Sequence, residues 1–284
     1  MPRAAVVAMP ATRSKTAAEE NFPVASLLLP AATRRQVMAF YHFARTADDI
    51  ADNPVYTRDS KILRLDALEE ALLGRDDGAE VGASARDLRH AVNGDEALLA
   101  HAAQLLQAFR RDAVVDHCRD WGDLMMYCRF SAAPVGRFLL QLHGESTATF
   151  GPSDSLCAAL QVLNHLQDCA DDLGTLGRVY IPAAWLRGAG LSHDVLAEEA
   201  TCAELRQVFD ITLDHVDGLI DLARPLPARI NDRRLRLQAA ITLVVAERLS
   251  ARLRRSDPLA RKVALTPLQY ACAVIVGLWR GCRA

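Results

Sequence analysis

The stretch Tyr41-His42-Phe43-Ala44-Arg45-Thr46-Ala47-Asp48-Asp49-Ile50-Ala51-Asp52 decides how the chain is read. At 3.6 residues per turn, Tyr41, Arg45, Asp48 and Asp52 share one stripe of a helix, while Asp49 points elsewhere. Val37, Phe40, Tyr41 and Ala44 supply apolar faces upstream, and Pro54 closes the run, so the pattern predicts a helix over 33–50. Its acidic pair then sits near the helix C-terminus, where carboxylates four apart repel and the macrodipole adds to the penalty. A cation is implied.

A second stretch, Gln161-Val162-Leu163-Asn164-His165-Leu166-Gln167-Asp168-Cys169-Ala170-Asp171-Asp172, repeats this logic within a helix predicted over 155–173. Gln161, Asn164, Asp168 and Asp172 make a single stripe. One acidic run at a helix end is often only a solvated charged face. Two runs of matching spacing, each on an otherwise apolar helix, point to facing helices that hold a diphosphate through shared Mg²⁺, a hard cation suited to carboxylates and phosphate oxygens.

Outward from these stretches, periodicity is helical almost throughout and strand signals are nearly absent, which predicts an all-α fold. Further helices are expected at 58–73, 96–112, 121–128, 132–142, 203–223, 229–254 and 268–279. The glycine-bearing polar stretch 74–94 reads as a loop, or a short helix between loops, and 224–227 as a break. With no repeat and no low-complexity linker, the expectation is a flexible tail over 1–18 and one helical domain over 19–284 around a central apolar cavity.

The 284 residues carry 33 Lys+Arg against 35 Asp+Glu, a formal charge of −2, so no global field attracts nucleic acid. The seven cysteines lack any C-x-x-C spacing and suggest a reducing cytoplasm. The apolar run 4–9 is broken by Pro10 and lacks a cleavage site, so it reads as tail rather than signal peptide. The most apolar segment, after Pro267, falls short of the roughly 20 residues needed to span a bilayer. A lipid substrate would therefore require a peripheral contact at the inner face of the membrane.

The residues resemble the squalene and phytoene synthase family, whose members carry Asp-x-x-x-Asp on one helix and Asn-x-x-x-Asp-x-x-x-Asp on another. Here these are Asp48 and Asp52, then Asn164, Asp168 and Asp172, and the resemblance implies that these five hold Mg²⁺. Tyr127-Cys128 with Ala133-Pro134-Val135-Gly136 resembles a further family segment, and Gly177-Arg178-Val179-Tyr180-Ile181-Pro182 resembles the Arg-x-Tyr-x-Pro loop after the second motif. By this analogy Tyr41, Arg45, Gln161, Arg178 and Tyr180 line the substrate, with cationic and hydroxyl donors suited to diphosphate oxygens. Tyr127 would either stabilise carbocation character or pack in the core, and His165, off the stripe, is open between catalysis and packing.

Three departures narrow the resemblance. Gln167 stands where members that condense two diphosphates usually have arginine, Glu19-Glu20-Asn21-Phe22-Pro23-Val24 stands where they tend to have a Ser-x-Ser-Phe-like stretch, and Ala51 stands where some squalene synthases have a glutamate. Losing cationic or hydroxyl donors suits a site that binds one diphosphate. The pattern looks most like bacterial hydroxysqualene synthases of hopanoid pathways, which take presqualene diphosphate from a sister synthase, with Asn21, Phe22 and Gln167 near the substrate. The enzyme alternative is presqualene diphosphate, squalene or phytoene synthesis from two allylic diphosphates such as farnesyl diphosphate. The non-enzyme alternative is a scaffold or assembly factor of the same fold.

Overall fold

The structure is a computed structural model that describes residues 30–75, 78 and 80–284. The tail over 1–18 and the residues Asn21 and Phe22 lie outside the described residues. Helix α1, Ala31–Asp52, buries Val37, Phe40, Phe43, Ala47 and Ile50, the apolar face its period dictates. Phe40 stacks on Phe138 with ring centroids 4.1 Å apart, fastening α1 to α6, Ala133–Leu142.

Between them in sequence come α2, Arg58–Leu72, α3, Ala83–Ala91, α4, Glu96–Asp112, and α5, Trp121–Ser131. The starts of α2, α4 and α5 are capped by side chains that satisfy otherwise unpaired backbone N–H groups. Asp95 accepts from Ala97 and Leu98 N at 3.0 and 3.2 Å, and Asp120 accepts from Asp123 N at 2.9 Å. The polar stretch 74–94 contains α3, which inserts only Ala85 and Leu88 into the core and is tied to α2 by Arg89 donating to the Leu72 carbonyl.

Helix α7, Phe150–Gln167, is followed by the single turn α8, Cys169–Asp171, and a wide π turn, Asp172–Leu176. The continuous helix expected over 155–173 is therefore broken at Asp168. Three carboxylates, at 168, 171 and 172, crowd a helix C-terminus whose dipole already disfavours negative charge, and unwinding separates them. Asp172 N still donates to the Asp168 carbonyl at 2.7 Å, and Gly177 ends the turn at φ 64°, a conformation glycine adopts without strain.

Helices α9, Ala183–Gly188, α10, Ala203–Ala223, α11, Leu226–Arg229, α12, Arg233–Leu253, and α13, Pro267–Arg283, complete the order. The helix expected over 229–254 starts at Arg233, because Asp232 caps it there and 226–229 forms its own turn. Two large apolar clusters result. One joins α1–α4 with Phe138, and the other joins α5, α7 and the helices from α9 to α12. Among the described residues no strand is present, and one isolated parallel bridge, His117 to Val179, ties the loop after α4 to the loop before α9.

Candidate active site

The polar residues of the site come from the ends of α1 and α4, from α5 and α7, and from the 178–182 loop. Alternation of an extended chain sets that loop: Val179 and Ile181 are buried in the core, which turns Arg178 and Tyr180 to the other side. Val179 N donates to the Asp116 carbonyl at 2.8 Å and Cys118 N to the Val179 carbonyl at 3.0 Å, fixing the strip in place.

Arg178 reaches α1. Its Nη1 donates to Asp52 Oδ1 at 2.6 Å and its Nη2 to the Ala51 carbonyl at 3.1 Å. Burial opposes the Arg178 charge, but Asp112, Tyr180 and Asp52 outweigh it and hold the guanidinium protonated. One turn earlier on α1, Arg45 donates to Asp48 Oδ2 at 2.7 Å, while Asp49 lies largely in solvent. Burial, reinforced by Asp52 and partly offset by Arg45, pushes the Asp48 carboxyl up to about 7. Tyr41 packs beside Val37, Leu139 and Leu142.

Beneath these groups lies Asp112, the last residue of α4, which sequence reasoning did not single out. It accepts from the Tyr127 hydroxyl at 2.8 Å and from the Tyr180 hydroxyl at 3.2 Å. Burial pushes Asp112 up to about 6 against the opposing pull of Arg178 and Tyr127. Burial and the Asp112 charge in turn hold both tyrosines protonated, well above the ordinary phenol value.

The second acidic stretch joins this assembly through His165. The His165 ring stacks on Tyr180 at 3.7 Å between centroids, lies 3.6 Å from Asp172 Oδ2, and meets Gln161 Nε2 at 3.1 Å. Asp52, Asp112 and Asp172 are thus linked through Arg178, Tyr180, Tyr127 and His165, while Asp48 is held by Arg45 one turn earlier on α1. Asn164 and Asp168 stay on the α7 side, where Asn164 O accepts from Asp168 N at 2.9 Å and Lys262 Nζ stands 4.0 Å from Asp168 Oδ1.

Gln167, expected near the substrate, is buried and donates to the Val263 carbonyl at 2.5 Å, bracing the loop before α13. Lys61 of α2 was also missed. Burial and the Arg178 charge lower its pKa, with the Asp52 charge pulling the other way. Among the described residues no three His, Cys, Asp or Glu side chains converge closely enough to hold a metal by themselves. A cleft of about 220 Å³ lies elsewhere, between α11, α12 and α13, and contains none of these groups.

Comparison with known proteins agrees with this geometry. The sequence profile of squalene/phytoene synthase matches residues 15–269. The chain belongs to the squalene/phytoene synthase family. It is an isoprenoid synthase acting on an isoprenoid diphosphate, and its all-α fold is the one such synthases share. The hydroxysqualene synthase of Rhodopseudomonas palustris is 42% identical over 259 residues, covering 91% of this chain and 88% of the relative. That of Sinorhizobium fredii is 41% identical over 251 residues, 88% and 85% of the two chains. The solved structure of squalene synthase HpnC from Alicyclobacillus acidocaldarius superposes with a TM-score of 0.71 at 31% identity, covering 82% of this chain and 87% of that one. A dehydrosqualene synthase shares the fold with a TM-score of 0.78 at 22% identity.

Proposed function

We propose that the protein is a hydroxysqualene synthase, converting presqualene diphosphate and water to hydroxysqualene and diphosphate on a route to squalene and hopanoids. The observation that carries this reading is the joining of the two acidic stretches around Arg178 and Tyr180, which gathers cations and hydroxyl donors suited to diphosphate oxygens. The relatives named hydroxysqualene synthase at 41–42% identity, each covering most of both chains, point the same way.

Arg178, Arg45 and Lys61 would draw in the diphosphate, and the Tyr180 hydroxyl, aimed by Asp112, would donate to its oxygens. The carbon–oxygen bond to diphosphate breaks and the electron pair leaves with the anion, giving a cyclopropylcarbinyl cation. The cation rearranges against the apolar clusters on either side of the polar seam, which exclude stray water. One admitted water then bonds to carbon and loses its proton to the departing diphosphate. Tyr127, held by Asp112, presents its ring beside this path.

The donor set fits Mg²⁺ shared with substrate, since hard oxygens and an under-compensated carboxylate at Asp48 want a divalent cation, and Mg²⁺ commonly takes only one or two carboxylates plus phosphate oxygens. Asp48, Asp52, Asn164, Asp168 and Asp172 are the residues that would hold it. When bound, the metal supplies charge neutralisation to the leaving diphosphate. Among the described residues no helix is long and apolar enough to cross a membrane.

The test is a product assay by mass spectrometry with Mg²⁺ and, separately, presqualene diphosphate, farnesyl diphosphate or geranylgeranyl diphosphate. Hydroxysqualene from presqualene diphosphate alone is expected. Turnover of farnesyl diphosphate as sole substrate would instead favour a two-substrate synthase, and no turnover of any of the three would leave the scaffold alternative standing.

A further inference from the structure

Helix α13 is apolar on both sides. Its inner face is pressed onto α12, so closely that a Cβ on Gly277 would stand 2.8 Å from Ile241 Cγ1 and one on Gly281 3.1 Å from Ala240 Cβ. Its outer face carries Leu268, Ala271, Cys272, Ile275, Trp279 and Cys282, spaced by three or four residues and all exposed. Leu268 is 74% exposed, Ile275 66% and Trp279 56%. A helix that is apolar all round is normally covered on both faces.

The charge around this face says what would cover it. Residues 233–284 hold eleven Lys or Arg and two acidic residues, Glu247 and Asp257, and although Arg254 pairs with Asp214 and Asp217 and Arg280 with Glu247, the excess in this segment stays basic in a chain whose formal charge is −2. Arg248 and Arg252 bond to Gln269 at the start of α13, and at its far end the Arg283 guanidinium lies 4.0 Å over the Trp279 ring. Tryptophan and arginine flanking an apolar stripe suit the boundary between headgroups and acyl chains. A second copy of the chain would bring two strongly basic ends together, which like-charge repulsion opposes.

We propose that the outer face of α13 seats on an anionic lipid surface. The consequence follows from the loop before it: Lys262 faces Asp168, and Val263 O accepts from Gln167, so the lipid-seated helix begins a few residues from the second acidic stretch. Seating would bring the mouth of the site to the membrane in which a C30 isoprenoid resides, an extension that rests on the function proposed above.

The experiment is co-sedimentation of the full chain with vesicles of phosphatidylcholine alone or mixed with phosphatidylglycerol, without substrate, so that the outcome is independent of the reaction assigned. The protein is expected to pellet with the anionic vesicles at least about tenfold more than with the neutral ones, and less at high salt, where charge attraction is screened. Ile275→Glu with Trp279→Glu should abolish pelleting while circular dichroism and turnover of detergent-dispersed substrate stay unchanged. Wild-type protein left in the supernatant with both vesicles would overturn the proposal, as would pelleting unaffected by the double substitution. Sedimentation equilibrium showing a dimer that the double variant turns into monomer would assign the face to a second copy instead.

Discussion

Arg178 and Asp52 are 126 residues apart in sequence and 2.6 Å apart in space. The pair ties the loop after the second acidic stretch to the end of the first, and the same guanidinium caps the Ala51 carbonyl. Charge-assisted hydrogen bonds of this kind contribute about 1.5–3 kcal/mol each. Arg178→Ala should therefore lower kcat/KM for the diphosphate substrate by about 10- to 100-fold and lower the melting temperature. Arg178→Lys, which keeps the charge but loses the fork, should fall between. Steady-state kinetics with both variants check this, and an unchanged KM and kcat in Arg178→Ala would remove Arg178 from the site.

Asp112 sets a pH dependence. Its folded pKa is raised to about 6 because burial disfavours the charged form, whereas in the unfolded chain it returns to the ordinary carboxylate range. A raised carboxylate favours the folded state while protonated, so its contribution is lost as pH climbs from about 4 through about 6. Metal-free protein should thus lose melting temperature between about pH 4 and pH 6.5, and Asp112→Asn should flatten that slope. Scanning calorimetry across this range measures it. Because Asp112 also orients Tyr127 and Tyr180, the same variant should lower kcat more than it raises KM.

The contrast between Asp48 and Asp112 shows what a sequence can and cannot reveal here. The face of α1 is set by local period, so Phe40, Phe43 and Ala47 turn inward and Asp48 and Asp52 share a stripe whatever the rest of the chain does. Asp112 follows Arg110 and Arg111 at the end of α4 and looks like an ordinary charged terminus. Only the packing of α4 on α5, and the bridge that pins Val179, bring it under two tyrosine hydroxyls. Lys262 was hidden for the same reason, since it meets the second acidic stretch from a segment distant in sequence. The break at Asp168 left no trace in the pattern because Leu166 and Cys169, on either side, are both buried as a continuous helix would have them.

Gly136 marks a close approach of α6 to α7. A Cβ there would stand 2.7 Å from Cys157 Sγ and closer still to Ser153 Oγ. Gly136→Ala should cost about 1–3 kcal/mol, the usual range for overpacking a filled core. Gly218, inside α10, has nothing within 4 Å of its would-be Cβ, so Gly218→Ala should stabilise by about 0.5–1 kcal/mol through helix propensity alone. Urea unfolding of the two variants gives opposite signs if helix packing, rather than glycine flexibility, explains position 136.

Asp48 sets stability against function. Its carboxyl is pushed up to about 7 by burial and by Asp52, so at pH 8 without metal the fold carries a charge it would rather not hold. Asp48→Asn keeps the shape and removes that charge, and in chelator at pH 8 it should melt above the wild type even though the Arg45 contact is weakened. Divalent cation with inorganic diphosphate should reverse the order, raising the wild-type melting temperature and leaving the variant nearly unmoved. Turnover should drop by about 1000-fold or more in Asp48→Asn and in Asp168→Asn, with the helical circular dichroism signal retained. A variant that melts below wild type in chelator, yet still turns over substrate, would make Asp48 a structural partner of Arg45 rather than a ligand.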